Sequence, residues 1–334
     1  MKSTALPMIE LPFPARLHHD VERIEAYVLD WAARFQLPLN GLAAQHFGMI
    51  AAYCYPAGIF PGMELAAASV TWQFLADDQY EEGAYGSVRR WAGAIKAVRG
   101  VLGPDKTAGP LDDAPLIRAL ADLAHRLDAM MSPAWSRRYA NHMVQAMEAV
   151  TRELQLRDDG TPPPLVDQVE IRRGTGGCFP FYDIMDAVDD GELPDEVHDS
   201  PVYQELLNAG ADIMGWSNDL HSLDKEIACG MVYNIVLVLQ RERNLDREQA
   251  FSQARILIAD RVNDLLAAQR RLPDLCQSLG LDQTTQDVVH RRAASLLDMI
   301  AGCNQWYTNT ARYQQPIPGR QTKPVEDLFA PGSS

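Results

Sequence analysis

The sequence predicts an all-α protein, and three observations carry that prediction. Signals for β-strands are nearly absent, because β-branched residues are scattered and no segment alternates cleanly between apolar and polar residues. Helical periodicity recurs, and one apolar face is formed by residues three or four positions apart: Phe251, Ala254, Ile258, Val262 and Leu265. Prolines and glycines divide the chain at helix-length intervals. We therefore expect a bundle of roughly ten helices.

The predicted elements follow one another between these breaks. The first segment is expected to be irregular because it holds three prolines, Pro7, Pro12 and Pro14. Segments long enough for a helix then lie between the following helix-breaking positions: Pro38, Pro56 with Pro61, Gly103-Pro104, Pro133, residues 158–164, Pro194, Pro201, and Pro273 with Gly280.

The last third of the chain contains the most apolar stretch, residues 227–239. It is well short of the roughly 20 residues that span a bilayer, so we interpret it as one buried helix. The end of the chain is expected to be irregular because of Pro316, Pro318, Pro324 and Pro331. No repeat or long linker is visible, so residues 1–334 are predicted to form a single helical domain with irregular tails.

Composition and charge exclude several classes of protein. The chain has 45 acidic and 30 basic residues, a formal charge of −15, and 47% apolar residues. These fractions support a sizeable core and argue against disorder. The negative charge disfavours nucleic acid as a partner, because a phosphate backbone is attracted by a basic surface. An anionic small substrate would therefore need local positive charge or bound cations.

Cysteine use and the N-terminal residues predict a cytoplasmic location. The five cysteines are odd in number, widely spaced and never arranged as C-x-x-C, which fits a reducing compartment. The first residues lack the apolar segment of a secretory signal, so we expect the mature chain to begin at Met1. No membrane span is expected either.

An acidic motif follows an apolar helical segment. Asp77, Asp78, Glu81 and Glu82 place four carboxylates within six residues, and a helix would stack them in like-charged pairs four positions apart. A divalent cation would relieve the repulsion, and oxygen ligands without His or Cys favour Mg²⁺ over zinc. A solvated acidic helix end is the alternative interpretation.

A second polar pattern occurs at Asn218, Ser222 and Glu226. These residues are spaced at i, i+4 and i+8, so they drift only about 80° around a helix and line one ridge. An amide oxygen, a hydroxyl and a carboxylate on one ridge are suited to Mg²⁺, with open positions left for water or a phosphate. A helix that merely passes through solvent would explain the charges but not Asn and Ser on the same ridge.

Together these motifs resemble those of the bacterial class I terpene synthases. The resemblance covers nearly the whole chain, and begins with the Leu-Pro-Phe-Pro sequence at residues 11–14. It includes the acidic motif and a match to the family's N-D-x-x-S-x-x-x-E pattern at residues 218–226. Arg312-Tyr313 looks like the family's Arg-Tyr pair, and Arg172 lies 46 positions before Asn218, where these enzymes place a diphosphate-sensing arginine.

The resemblance implies an all-α bundle of the isoprenoid synthase type and three bound Mg²⁺ ions, with Mn²⁺ as a substitute. Asp77 would hold two of the ions, and Asn218, Ser222 and Glu226 the third. The resemblance leaves open which of Asp78, Glu81 and Glu82 assists, because this motif lacks the later Asp of the family.

The resemblance also assigns the substrate's diphosphate to cationic and hydroxyl donors: Arg172, Lys225, Arg312 and Tyr313. Thr175 and Gly176 look like the linker and effector positions of the helix break after Arg172. Thr175 is a departure, since this position is often acidic in the family. Glu153 resembles the family's buried acidic partner of that region and is interpreted as structural.

Aromatic side chains are expected around the hydrocarbon end of the substrate, since a ring face stabilises a carbocation. Phe74 precedes Asp77 by three residues and shares its helix face, and Trp306 resembles the family's pocket tryptophan. These two are the predicted pocket aromatics. Weaker candidates, for which core packing is the alternative, are Phe47, Tyr53, Trp72 and Phe179.

The predicted function is Mg²⁺-dependent ionisation and cyclisation of farnesyl diphosphate, which yields a sesquiterpene and diphosphate. Such an enzyme is a carbon–oxygen lyase. The alternatives are geranyl or geranylgeranyl diphosphate as the substrate and, more remotely, a chain-elongating prenyltransferase or a non-catalytic helical scaffold. A homodimer is left open. The prenyltransferase is disfavoured because it would carry a second Asp-rich motif in place of Asn218 to Glu226.

Overall fold

The computed structural model describes residues 9–189, 191–313 and 325–330, with residues 40 and 41 described by their backbone alone, and these residues form helices without strands. The helices are α1 (Val21–Arg34), α2 (Leu39–Gln45), α3 (Phe47–Cys54), α4 (Gly62–Glu81), α5 (Val88–Leu102), α6 (Pro115–Met130), α7 (Pro133–Asp159), α8 (Leu165–Thr175), α9 (Cys178–Val188), α10 (Asp195–His198), α11 (Pro201–Ala228), α12 (Ile235–Arg243), α13 (Arg247–Arg270), α14 (Leu272–Ser278) and α15 (Gln283–Asn309).

The all-α prediction is confirmed, although the described residues contain fifteen α-helices rather than about ten. Three of them, α2, α10 and α14, have seven residues or fewer, which is too short for periodicity to reveal. Two 3₁₀ turns, Gly109–Leu111 and Ala311–Tyr313, complete the described helical elements. The predicted irregular tails lie mostly outside the described residues, which exclude 1–8, 314–324 and 331–334.

The long helices begin where the sequence places capping residues. The Ser132 hydroxyl accepts a hydrogen bond from Trp135 N over 3.1 Å in the first turn of α7. The Ser200 hydroxyl accepts one from Tyr203 N over 3.2 Å in the first turn of α11. A proline then occupies the first helical position of both α7 and α11, where its missing N–H costs nothing. These local signals fix the start of two of the three longest helices.

The apolar stretch at residues 227–239 is not the single buried helix that the sequence predicted. Helix α11 ends at Ala228 and α12 begins at Ile235. Gly230 lies between them with a φ of 74°, and the Asn234 side chain caps α12 by accepting from Val236 N over 2.9 Å. The prediction was wrong because apolar composition does not distinguish a buried turn from a buried helix.

The predicted apolar face of residues 251–265 is confirmed on α13. Ala254, Ile258, Val262 and Leu265 are buried and Phe251 is half-buried, and this helix packs on α11. Helix α4 is apolar on nearly all sides and is enclosed by α1, α3, α6 and α9. Helices α4 and α11, which carry the two predicted metal motifs, therefore lie inside the bundle. Among the described helices, none is long and apolar enough to cross a membrane.

Helices α3 and α15 approach each other closely at Gly302. A Cβ atom at this position would lie 2.3 Å from the carbonyl oxygen of Tyr53. We expect Gly302→Ala to lower the free energy of unfolding by about 1–3 kcal/mol, because two backbones would have to separate. Chemical denaturation, monitored by circular dichroism, measures this free energy.

Gly93, on the exposed face of α5, is the matched control, since an added Cβ there meets nothing within 4 Å. Gly93→Ala is expected to be neutral or to raise the free energy of unfolding by up to about 1 kcal/mol. Equal effects of the two substitutions would contradict the close approach of α3 and α15.

Candidate active site

One cavity between α4 and α11 collects the predicted motifs. Its volume is about 950 Å³, including the space at its open mouth. The polar part of its lining comes from α4, α8, α11 and the turn after α15, and comprises Asp77, Glu81, Arg172, Thr175, Asn218, Ser222, Lys225, Glu226, Arg312 and Tyr313. The structure therefore brings together residues that are up to about 240 positions apart in the sequence.

The acidic motif forms the last turn of α4 and is contacted by two cations. Arg312 donates from Nη2 to Asp77 Oδ2 over 2.7 Å, and its Nη1 lies 2.8 Å from Asp78 Oδ1. Lys225 comes from α11, contacts Glu81, and places Nζ 3.7 Å from Asp78 Oδ1. The carboxylates thus contact positive charges from two other parts of the chain.

Three of the four acidic residues are placed to share a metal ion. One carboxylate oxygen each from Asp77, Asp78 and Glu81 lies within 4.8 Å of the others. Glu82 is exposed, and its Oε1 lies 3.2 Å from Lys225 Nζ rather than within this group. A set made only of carboxylate oxygens suits a hard divalent cation such as Mg²⁺, so the residues present fit the expected metal.

Burial and crowding shift the titration of these carboxyls. Burial, followed by the charge of Asp77, raises the pKa of Glu81 to about 7, against the opposing effect of Lys225 and Arg312. Burial also raises the pKa of Asp78, although Arg312 and Lys225 lower it in part. The two cations therefore do not fully offset the cost of placing these groups together, and further positive charge would be favourable here.

The predicted ridge on α11 is formed, and its polar side chains are already hydrogen-bonded. The Ser222 hydroxyl lies 2.6 Å from Glu226 Oε1, and Asn234 Nδ2 donates to Glu226 Oε2 over 2.9 Å. Burial, followed by the charge of Asp219, raises the pKa of Glu226. Asn218 lies one turn before Ser222 and lines the same cavity. The three side chains therefore face one space.

Arg172 reaches this ridge from α8. Its Nη2 donates to Asn218 Oδ1 over 2.6 Å, and its Nε lies 2.8 Å from Asp219 Oδ1. The neighbouring Arg173 points elsewhere and forms a bidentate pair with Asp212, with distances of 2.6 and 2.7 Å. Of the two arginines, only Arg172 lines the cavity.

The helix after Arg172 breaks at the positions that the sequence indicated. Helix α8 ends at Thr175, and Gly176 and Gly177 form the turn into α9. Gly177 has a φ of 64°, a backbone conformation that favours glycine, and a Cβ there would also lie 2.8 Å from the end of the Gln73 side chain, at Oε1. Thr175 lies beside the buried carboxyl of Glu153, whose pKa is raised by burial.

The Arg-Tyr pair occupies the 3₁₀ turn after α15. The Arg312 side chain is only 4% exposed, donates to Gln45 Oε1 over 3.0 Å, and holds its guanidinium 4.9 Å from the Phe74 ring centre. The Tyr313 hydroxyl accepts from Asn218 Nδ2 over 2.8 Å. The turn therefore connects the two metal motifs.

The deep part of the cavity is apolar and aromatic. Phe74 lines it as predicted, directly below Asp77 on α4. The other apolar side chains of the wall come from α4, α5, α7, α9 and α11, and include Trp72, Trp91, Met143, Met147, Phe181 and Met214. Charge at one end and aromatic surface at the other suit an elongated substrate with an anionic head.

Trp306 does not line the described cavity, contrary to the prediction. It is fully buried on α15, where its indole N–H donates to the carbonyl of His46 over 3.2 Å. Its ring lies 5.2 Å from that of Phe74, so it supports the cavity aromatic from behind. Among the weaker candidates, Trp72 lines the cavity. The other three, Phe47, Tyr53 and Phe179, are not among the described residues that line it.

Three supporting residues were missed by sequence reasoning. Asp219 pairs with Arg172, Asn234 holds Glu226, and Gln45 holds Arg312. Asp219 carried a signal, because an acidic residue beside Asn218 inside a buried helix needs a cationic partner. Asn234 and Gln45 carried none, since only the fold brings them to the site.

The fold and the cavity define an all-helical enzyme that places a divalent-metal site and a cluster of cations beside an apolar chamber. The family described as "Terpene synthase family 2, C-terminal metal binding" matches residues 68–264. The (-)-delta-cadinene synthase of Streptomyces clavuligerus is 32% identical over 277 residues, covering 82% of this chain and 83% of the relative. The chain belongs to this terpene synthase family.

Further comparisons agree with this assignment. The 7-epi-alpha-eudesmol synthase of Streptomyces viridochromogenes, whose name describes it as cyclising (2E,6E)-farnesyl diphosphate, is 26% identical and covers 91% of each chain. A solved structure of a cucumene synthase variant has a TM-score of 0.84 and 32% identity, and covers 91% of this chain and all of that one. The protein is a class I terpene synthase, a metal-binding lyase that acts on a prenyl diphosphate.

Arg172→Lys is expected to lower kcat by roughly 100-fold or more, because lysine keeps the charge but loses the planar fork that contacts Asn218 and Asp219 together. Steady-state kinetics measures the loss, and circular dichroism checks the fold. Arg173→Lys is the matched control and should keep turnover within a few-fold. A greater loss in Arg173→Lys than in Arg172→Lys would refute the assignment.

Phe74→Ala is expected to change the products more than the release of diphosphate, because the ring lies below the charged groups and lines the apolar wall. Trp306→Ala should act in the same direction through Phe74, with an added loss of stability of about 3–5 kcal/mol. A diphosphate assay beside product analysis separates the effects. Unchanged products in both variants would place these rings in the core alone.

Proposed function

We propose that this enzyme ionises and cyclises farnesyl diphosphate to a sesquiterpene and releases diphosphate. The observation that carries the proposal is the division of one cavity into a charged end, with Arg172, Lys225 and Arg312, and an aromatic end, with Phe74 and Trp72. A prenyl diphosphate has the same division between an anionic head and an apolar tail. The eudesmol synthase relative supports farnesyl diphosphate as the chain length.

The diphosphate would be bound by donors that already face the cavity. Arg172 and Arg312 offer planar guanidinium groups suited to bidentate contact, Lys225 offers a point charge, and Tyr313 offers a hydroxyl. In the structure the three cations bind carboxylate or amide oxygens, and the Tyr313 hydroxyl accepts from Asn218 Nδ2, so all four groups are held close to where the substrate head would lie. They supply the local positive charge that a chain of net charge −15 otherwise lacks.

Metal ions would neutralise the departing diphosphate, and we propose three Mg²⁺, replaceable by Mn²⁺. Asp77 would hold two of them, with help from Asp78 and Glu81, whose oxygens lie closest to it. Asn218, Ser222 and Glu226 would hold the third. Ser222 and Asn234 already orient the Glu226 carboxylate, so little rearrangement of that side chain is needed.

After ionisation the hydrocarbon cation would be held away from water. Arg312 closes over the ring of Phe74 at the boundary between the two ends, and Trp72 and Trp91 lie deeper in the wall. Aromatic faces stabilise a desolvated cation by up to about 2 kcal/mol or more each. The shape of this wall, rather than the charged end, would determine which product forms.

Incubation with geranyl, farnesyl and geranylgeranyl diphosphate and Mg²⁺, followed by gas chromatography with mass detection, tests the proposal. We expect cyclic C15 products from farnesyl diphosphate at the highest kcat/KM. Predominant C10 or C20 products would show that the substrate is geranyl or geranylgeranyl diphosphate instead. Condensation products would indicate a prenyltransferase. Thermal shift with Mg²⁺ and diphosphate serves as the binding control, since a scaffold would not be stabilised by the pair.

Asn218→Ala and Glu226→Ala are expected to abolish measurable turnover, because each removes an oxygen ligand from the same metal site. Added Mg²⁺ should restore only part of it. Asp224→Ala is the matched control on α11, since Asp224 is 42% exposed and pairs with Arg247 at the surface. The third-metal assignment fails if Asn218→Ala or Glu226→Ala keeps near wild-type turnover at low Mg²⁺.

We also propose that residues 1–334 act as one domain in the cytoplasm. The described helices share one continuous core, which supports a single folding unit, and all five cysteines are free, which supports a reducing compartment. A homodimer stays a prediction, and light scattering would measure the oligomeric state.

A further inference from the structure

A short stretch of chain, residues 325–330, packs against the side of α4 that faces away from the cavity. Leu328 and Phe329 in it are 2% and 0% exposed. We propose that this anchor segment positions the active site, through Gln79 for the acidic motif and through Phe329 for the aromatic wall. The test of Phe329 rests on the proposed function, because it measures the product ratio. The test of Gln79 rests only on the binding of Mg²⁺ and diphosphate.

Gln79 connects the anchor segment to the acidic motif. It lies between Asp78 and Tyr80 in α4 and is fully buried. Its Nε2 donates to the carbonyl of Glu326 over 2.9 Å, and its Oε1 accepts from Leu328 N over 3.1 Å. Both polar ends of one side chain are thus bound to the main chain of a single segment, which fixes the orientation of the amide.

This connection determines the rotation of the last turn of α4. Residues two positions apart in a helix point about 200° apart, so Asp77 faces the cavity when Gln79 faces outward. That turn needs a constraint, because carboxylates repel one another and are disfavoured at the negative end of the helix dipole. The Gln79 hydrogen bonds resist unwinding at the position where the metal ligands begin.

Phe329 supports the aromatic wall from behind. Its ring centre lies 6.5 Å from that of Trp72 and 6.3 Å from that of Trp91, with edge-to-face geometry at both, and both tryptophans line the cavity. The peptide groups of Leu116 add a second connection. Leu116 N donates to Leu328 O over 3.0 Å, and Leu116 O accepts from Trp72 Nε1 over 2.8 Å.

The anchor segment has a defined local structure of its own. Asp327 Oδ1 accepts from Phe329 N over 3.2 Å and from Ala330 N over 3.0 Å, which forms a tight turn. Burial, followed by the charge of Asp327, raises the pKa of Tyr85 to about 12, and the Tyr85 ring lies 5.1 Å from that of Phe329. These contacts place Phe329 in one position rather than in a general apolar surface.

Gln79→Leu tests the first connection, since leucine fills similar space without hydrogen-bonding groups. We expect the Mg²⁺ concentration for half-maximal thermal stabilisation by Mg²⁺ and inorganic diphosphate to rise by roughly three- to tenfold, as the loss of two buried hydrogen bonds predicts. The Mg²⁺ requirement of turnover should rise in parallel, and the product ratio should change little.

Phe329→Ala tests the second connection. We expect a changed product ratio from farnesyl diphosphate, because Trp72 and Trp91 lose their backing, with the Mg²⁺ requirement close to that of the wild type. Phe329→Leu keeps apolar bulk and should return most of the wild-type ratio, and it serves as the measured variant if Phe329→Ala does not fold. In that case the proposal is supported if the product ratio of Phe329→Leu differs from that of the wild type by less than the ratio of Trp72→Phe does. An unaltered product ratio in Phe329→Leu overturns it.

Leu272→Ala is the matched control, because Leu272 is fully buried on α14 and does not line the described cavity. It should lower thermal stability without changing the product ratio or the Mg²⁺ requirement. Equal shifts in Leu272→Ala, or wild-type values of both readouts in the anchor variants, would show a purely structural segment and overturn the proposal. If the wild type makes no terpene, the proposed function fails, while the thermal-shift comparison still decides the Gln79 connection.

Discussion

The pairing of carboxylates at the end of α4 with Lys225 and Arg312 is the interaction on which the site depends. Burial raises the pKa of Asp78 and Glu81, and the positive charges of Lys225 and Arg312 oppose that rise. Lys225 comes from α11 and Arg312 from the turn after α15, so three distant parts of the chain must meet at one place. The packing of α11 and α15 on each other serves this requirement as well as the core.

The same contacts explain how a strongly acidic chain can bind an anionic substrate. The donors of the site are not free in the described structure but bind Asp77, Asp78, Glu81, Asn218 and Asp219. Their side chains are therefore ordered before any ligand arrives, which reduces the entropy lost on binding. Metal ions would bring positive charge to the carboxylates, and the diphosphate would take over contacts that Arg172, Lys225 and Arg312 now make with carboxylate and amide oxygens.

The sequence predicted what local spacing encodes and missed what only tertiary structure supplies. The helical class and the ridge of Asn218, Ser222 and Glu226 follow from spacing and from glycine and proline, whereas the break after Arg172 was indicated by the resemblance to the family. The turn at residues 229–234, by contrast, is hidden in an apolar stretch. Trp306 supports the wall instead of lining it, because depth within a core leaves no trace in the sequence. Gln79 and Leu328 are hydrogen-bonded across 249 positions, which no local pattern reveals.

Gly177 has a consequence for how such a chamber can diversify. Its φ of 64° is one that other residues rarely adopt, so the cavity lining beside the helix break tolerates little variation at this position. The methionines of the lining are different, because Met143, Met147 and Met214 have flexible and polarisable side chains that adapt to new shapes. Substitution of a methionine can therefore reshape the chamber, whereas substitution of Gly177 would strain the turn that follows Arg172.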